Sequence, residues 1–251
     1  MSGDLILETR DLTKEFEGFV AVSNVNLKVK RGVIHALIGP NGAGKTTVFN
    51  LLTKFHIPTS GRIFYNGVDI TRVHPAELPR RGMGRSFQIS ATFPHLTTLE
   101  NVRIALQRNL GTSFHFWRSE KSLDALNDEA MSLLGDVGLT EFAAIPAGEL
   151  SYGRKRALEL ATTLALDPEI LLLDEPTSGL SQEDIARITD LIRKAAEKRS
   201  VLMVEHNLSV VSSLSDTITV LQRGEILAEG PYEQVSRNPE VIEAYMGTGH
   251  A

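Results

Sequence analysis

One stretch, Gly39–Thr47, reads GPNGAGKTT and limits what this chain can fold into more than any other. It fits the pattern G-x-x-x-x-G-K-[ST], with Gly39, Gly44, Lys45 and Thr46 at the fixed places. Val33–Ile38 ahead of it is an apolar run suited to a buried strand, and Thr47–Lys54 behind it suits a helix. A glycine-rich turn without a ligand would satisfy the letters alone. The flanking strand and helix supply the setting in which such a loop binds phosphate. Gly42 and Gly44 lack a Cβ, so the chain folds tightly and turns successive N–H groups inward. With the helix N-terminus behind them, these groups form a positive nest for phosphate oxygens. Lys45 would reach the β- and γ-phosphates, and the Thr46 hydroxyl would ligate Mg²⁺. Pro40, Asn41, Ala43 and Thr47 complete the expected nucleotide contacts of the loop.

The 251 residues suffice for one large domain or two modest ones, and 42% hydrophobic with 23% charged residues is ordinary for a globular protein. A net charge of −5 offers no basic field for nucleic acid. No apolar run approaches the roughly 18–20 residues that span a bilayer. Met1-Ser2-Gly3-Asp4 does not read as a signal peptide, so the expected address is the cytoplasm. The absence of cysteine excludes disulfides, thiolate catalysis and cysteine metal sites.

Leu5–Thr9 and Val20–Lys30 alternate as half-buried strands do, with Val25, Leu27 and Val29 on one face and Glu15–Gly18 as the turn between them. Phe16 is either a ring that stacks on adenine, worth on the order of 1–3 kcal/mol, or an edge-strand aromatic of the core. Arg62–Gly67 adds a strand ending in a turn. Gly84–Gln88 reads as a strand emptying into a loop, which places Gln88 where parallel sheets hold ligands. Its amide would face Mg²⁺ and a water there, or simply be solvated. Thr98 to about Ile145 turns helical. It is interrupted at Asn109–Lys121, where Phe114, Phe116 and Trp117 mark a partner contact or a small satellite core.

Ser151 opens a helix over Lys155–Ala165; in isolation it reads as a simple N-cap, and with Gly153 as a second anion site at a helix N-terminus. Ile170–Leu173 is a buried strand without alternation, as in a central parallel strand. It ends at Asp174-Glu175, two carboxylates that are costly there without a cation or a proton to handle. Asp174 is expected to hold Mg²⁺ and Glu175 to accept a proton from the attacking water. Ser181–Lys198 is amphipathic. Ser200–Val204 is another buried strand, ending at Glu205-His206, and His206 is read as a γ-phosphate sensor. Asp216–Leu221 and Glu225–Ala228 pair around Arg223-Gly224. Asn238-Pro239 starts a last helix with Val241, Ile242, Tyr245 and Met246 as its stripe.

Taken together, the chain resembles the ATP-binding subunit of an ABC transporter along nearly its whole length. Gly39–Thr46 matches the Walker A loop, Gln88 the Q-loop glutamine, and Leu150-Ser151-Tyr152-Gly153 the LSGGQ signature. Ile170–Asp174 matches Walker B, followed by Glu175 as the catalytic glutamate. Ser178–Ser181 resembles the D-loop, His206 the switch histidine, and Phe16 the adenine-stacking aromatic. More narrowly, Leu37–Thr47, Phe87-Gln88, Leu150–Gly153 and the tail around Ala228–Gly230 and Asn238–Tyr245 look like the branched-chain amino acid importer subgroup. Urea or short-amide importers, a lipopolysaccharide-type lipid exporter and a non-transport dimerisation module are the alternatives.

The resemblance implies an α/β fold: a P-loop NTPase (ABC ATPase) core with an N-terminal antiparallel β subdomain and an inserted α-helical subdomain. One domain would cover 4–250, with 98–159 as the helical part and roughly 4–97 and 160–250 as the core. It implies ATP and Mg²⁺ as cofactors. It also implies a head-to-tail pair with a second ATPase subunit, the same chain or a sister, in which Gly39–Thr47 of one copy meets Ser151–Gly153 of the other. Transmembrane permeases, and indirectly an external solute-binding protein, would be partners at the inner face of the plasma membrane. Tyr152, Arg154 and Ser181 depart from the usual Gly, Gln and Asp of the family. None of the three removes a phosphate, metal or base ligand.

Overall fold

The computed structural model describes residues 4–85, 92–107 and 126–246. The chain opens with β1 (Leu5–Phe16), β2 (Phe19–Val25) and β3 (Lys28–Lys30). Strand β4 (Ile34–Ile38) then leads into α1 (Lys45–Leu52), and β5 (Ser60–Tyr65) and β6 (Val68–Asp69) follow. The first strand is longer than its alternation indicates. It runs to Phe16, which pairs with Phe19, so the turn is only Glu17-Gly18, both left-handed at φ 47° and 90°. That geometry matches strand twist in a two-residue hairpin. The expected second strand is split instead of continuous. The Thr9 hydroxyl bonds the Val25 carbonyl and accepts from the Leu27 N–H, both at 2.8 Å, and the Asn26 amide turns to the Asp11 backbone. The pairing of β1 therefore shifts from β2 to β3 between Val25 and Lys28, while Val25, Leu27 and Val29 all stay buried as expected.

After β7 (Met83–Arg85) come α2 (Thr98–Gln107), α3 (Asn127–Asp136) and α4 (Tyr152–Leu164). Helix α4 passes through 159–160 without a break, so the expected edge of the helical part falls inside one helix. The remainder is β8 (Ile170–Asp174), α5 (Gln182–Ala196), β9 (Ser200–Val204), α6 (Leu208–Leu214), β10 (Thr217–Gln222), β11 (Glu225–Gly230), α7 (Tyr232–Val235) and α8 (Pro239–Met246). Among the described residues, β2-β1-β5-β6, with β3 beside β1, form an antiparallel sheet. The other sheet has the order β11-β10-β4-β9-β8-β7, parallel except at its β11 edge.

The second sheet is covered on both faces, and this explains its unbroken apolar strands. Ala36, Leu171, Leu173, Val201 and Met203 face a core shared with α2–α6. Leu37, Leu172, Leu202 and Val204 face a second core with Phe49 and Leu52 of α1 and the antiparallel sheet. Helix α1 is thus held between the two sheets, and the loop before it is fixed at the C-terminal ends of the parallel strands. The stripe read for α8 is only half right. Val241 and Ala244 are buried, whereas Ile242 and Met246 face outward.

Candidate nucleotide site

Strand β4 lies between β10 and β9 and delivers Gly39 at its end. A Cβ on Gly39 would collide with the Leu221 carbonyl of β10. At Gly44, in the left-handed region at φ 99°, a Cβ would come within 2.7 Å of the Ala21 carbonyl of β2. The glycines therefore let the loop be clamped from two sides. The Gly224 N–H in the β10–β11 turn donates to the Ala43 carbonyl at 3.0 Å, and its own carbonyl accepts from Ser23. Gly44 is the N-cap of α1 and has no side chain to bond the first-turn N–H groups, which are left for an anion. Lys45 is buried and donates to the Gly39 and Pro40 carbonyls at 2.7 and 3.0 Å. Burial pulls its ammonium below the usual range, and the nearby Glu175 carboxylate opposes this. Two of its three donors hold the loop closed upon itself, which keeps the charge at the loop's centre.

The ends of β9 and β8 lie beside this loop. Asp174 ends β8 and is buried, with Oδ2 lacking a hydrogen-bond partner. Burial raises its carboxyl above the ordinary range, and the Arg85 guanidinium at the end of β7 opposes the shift. An orphaned buried carboxylate oxygen and the exposed Thr46 hydroxyl suit a divalent cation, whose charge would offset the desolvation. Glu175 follows in the left-handed conformation, φ 47°, with its N–H bound to the Val204 carbonyl at 2.9 Å. Its Oε2 lies 3.9 Å from His206 Nδ1 at the end of β9.

Glu205 completes the group, and the sequence reading missed its role. It is fully buried. One oxygen accepts from the Thr177 N–H and hydroxyl, and the other accepts from the His206 and Asn207 N–H groups at 2.7 and 3.0 Å. It ties the segment after Glu175 to the segment that carries His206. The signal was present: a carboxylate at the end of an apolar strand needs partners for the reason that drew attention to Asp174.

Ser151 and Phe16 lie on other edges. Ser151 caps α4 by backbone conformation, but its exposed hydroxyl makes no capping bond. Simple side-chain capping is therefore not its use here. Gly153 is buried for a reason that was not anticipated: a Cβ there would run into the Asp184 carboxylate of α5. Phe16 sits on the hairpin rim rather than in the core, at 36% exposure. His56 meets its ring edge-on at 5.2 Å, and Lys14 Nζ lies 4.8 Å from its centroid. Gln88, Phe114, Phe116 and Trp117 lie outside the described residues.

The family described as ABC transporter matches residues 22–178, and the one described as branched-chain amino acid ATP-binding cassette transporter matches 225–251. The high-affinity branched-chain amino acid transport ATP-binding protein BraF of Pseudomonas aeruginosa is 42% identical, over 96% of this chain and 98% of its own length. The chain belongs to the ABC transporter ATP-binding family. Among solved structures, the ADP conformation of an ATP-binding cassette of an ABC transporter is similar, with a TM-score of 0.84 and 31% identity over 97% of this chain and 99% of that one. A dimeric cassette in a post-hydrolysis state bound to ADP and Pi is also similar, with a TM-score of 0.75 and 28% identity over 90% and 98%.

Within this ABC ATPase the departures from the family pattern have local reasons. Ser181 N-caps α5, accepting from the Asp184 N–H at 3.2 Å, a task that Asp performs equally well. The Arg154 guanidinium stacks 4.0 Å above the Phe142 ring, which offsets the cost of a cation in the first turn of a helix. Tyr152 rests on Gly179 in the D-loop segment and bonds Arg156. Among the described residues no helix is long and apolar enough to cross a membrane.

Proposed function

We propose that this ABC ATPase binds ATP with Mg²⁺ at Gly39–Thr47, hydrolyses it in a head-to-tail pair, and powers import of branched-chain amino acids through transmembrane permeases. The observation that carries the reading is the meeting of Lys45, Asp174, Glu175 and His206 around one loop, at the C-terminal ends of neighbouring strands. Loop N–H groups and Lys45 would hold the phosphates. Thr46 and Asp174 would hold the cation, which when bound neutralises charge on the β- and γ-phosphates. Glu175 would accept the proton of the attacking water, and His206 beside it would sense the γ-phosphate. Phe16 would stack on the adenine, because its hairpin is anchored to the loop through the Ala21 carbonyl beside Gly44. Gln88 would complete the metal shell and meet the permease.

The second copy would supply Ser151 and Gly153. The unspent Ser151 hydroxyl and the first-turn N–H groups of α4 are what a partner's γ-phosphate needs. Closing the pair excludes water and strengthens the field on that phosphate. The amino acid cargo is supported by the match at 225–251 and by the relatives' names. We place the chain on the inner face of the plasma membrane, with an external solute-binding protein delivering cargo. The direct test is reconstitution of the purified complex in vesicles. ATP-driven uptake of leucine, isoleucine or valine is expected. Uptake of urea or short amides instead, or ATP turnover without any uptake, overturns the cargo assignment.

A further inference from the structure

Tyr152 is a bulky ring at a position where the family usually has glycine, and it is half exposed beside a buried ion pair. Its ring covers Gly179, where an added Cβ would lie 3.5 Å from Cε1. Its hydroxyl accepts from the Arg156 guanidinium at 3.1 Å. Arg156 in turn donates to Glu159 at 2.9 Å, with both side chains buried. Arg156 and Glu159 line a small cavity together with Pro176, Leu173 and Ile188. The positive field of Arg156 reaches Asp174. The first turns of α4 thus form the floor under residues 174–179.

Glu175 is the second residue of that segment and adopts a left-handed conformation. A glutamate holds such a backbone only where its surroundings over-determine it. Among the described residues its surroundings include the Val204 carbonyl, the Ser178 N–H that donates to the Glu175 carbonyl, Glu205 through Thr177, and, beside Pro176 and Gly179, the Tyr152–Arg156–Glu159 floor. The same helix begins at Ser151 and Gly153, the edge assigned above to a partner's phosphate.

We propose that Tyr152 and Arg156 are positioning residues that couple the signature end of α4 to Glu175 of the same chain, so that phosphate captured for the partner's site sets the geometry of the chain's own base. This rests on the composite-site reading given under Proposed function. A phosphate drawn onto the N-terminus of α4 shifts the helix. The shift reaches the 174–179 segment through the ring on Gly179 and through the guanidinium beside Pro176.

The test uses the full chain, the mild variants Tyr152→Phe and Arg156→Lys, and their double. Tyr152→Phe keeps the ring and removes the one hydroxyl. Its kcat is expected to fall about fivefold, the size of one net hydrogen bond, with KM for Mg-ATP and ATP-driven dimerisation unchanged. The double variant is expected to be no slower than the worse single, as for residues that act as one unit. Without nucleotide, the Ser178 and Leu180 amides of Tyr152→Phe are expected to exchange hydrogen about fivefold faster, at the same melting temperature. A parental kcat in Tyr152→Phe overturns the proposal, as does a raised KM with kcat unchanged, which would confine Tyr152 to the phosphate edge. If the parent itself turns over no ATP, the hydrolysis reading fails, and the nucleotide-free exchange rates still decide the coupling.

Discussion

Glu175 Oε2 and His206 Nδ1 lie 3.9 Å apart, although 30 residues of chain and a helix separate them. Two neighbouring parallel strands, β8 and β9, end level with each other and bring the two side chains together. Glu205 fixes the spacing by bonding the backbone on both sides. A carboxylate and an imidazole held at that separation are near contact, so both can address the same side of one phosphate.

Glu175→Gln removes the carboxylate proposed to accept the proton and keeps the shape. Hydrolysis should fall roughly 10²–10⁴-fold while ATP still binds and holds the pair closed. Steady-state turnover with a parallel binding titration decides this. Parental turnover would reject Glu175 as the base.

Lys45→Ala takes away the only cation in the loop and two bonds to loop carbonyls. Tight ATP binding should disappear in a calorimetric titration. An unchanged affinity would contradict the phosphate site.

Ser151→Arg places a large side chain on the edge proposed to face a partner, far from the chain's own loop in sequence. ATP should still bind the monomer, and ATP-driven dimerisation should be lost in sedimentation. A normal ATP dimer would count against the composite site.

Glu205→Ala leaves four donors without their acceptor, the two of Thr177 buried and the N–H groups of His206 and Asn207 partly so. Each stranded group costs about 1–3 kcal/mol before water relieves it, so a total loss of about 3 kcal/mol is expected in urea unfolding. Turnover should fall with it, because the links to His206 and to the segment after Glu175 are cut together. Full stability in the variant would refute the tie.

His35 on β4 is buried against the Thr219 hydroxyl at 2.7 Å, which itself donates to Glu229. Burial lowers the imidazole to about 4, against an ordinary 6.5. The unfolded chain therefore binds this proton first as pH falls. The contribution of His35 to stability is complete above pH 6.5 and is lost between 6.5 and about 4, to the extent of about 3 kcal/mol. Urea midpoints across that range should fall less steeply in His35→Gln than in the parent.

Much of this was legible in the sequence because it is local. The glycine spacing of 39–47, the apolar strands 170–174 and 200–204 and the turn at Arg223-Gly224 follow from steric freedom, from burial on both faces and from hairpin twist. The carboxylates announced themselves because charge at the end of an apolar strand has a cost that needs a cause. What the sequence leaves open is contact. Whether Phe16 lies in the core or on the rim, why position 153 has no side chain, and what Glu205 holds depend on groups brought together from distant parts of the chain. Local preferences carry no term for a carboxylate arriving from the next helix or a carbonyl from another sheet. Those juxtapositions arise only when the helices pack on one face of the parallel sheet and the antiparallel sheet closes over α1 on the other.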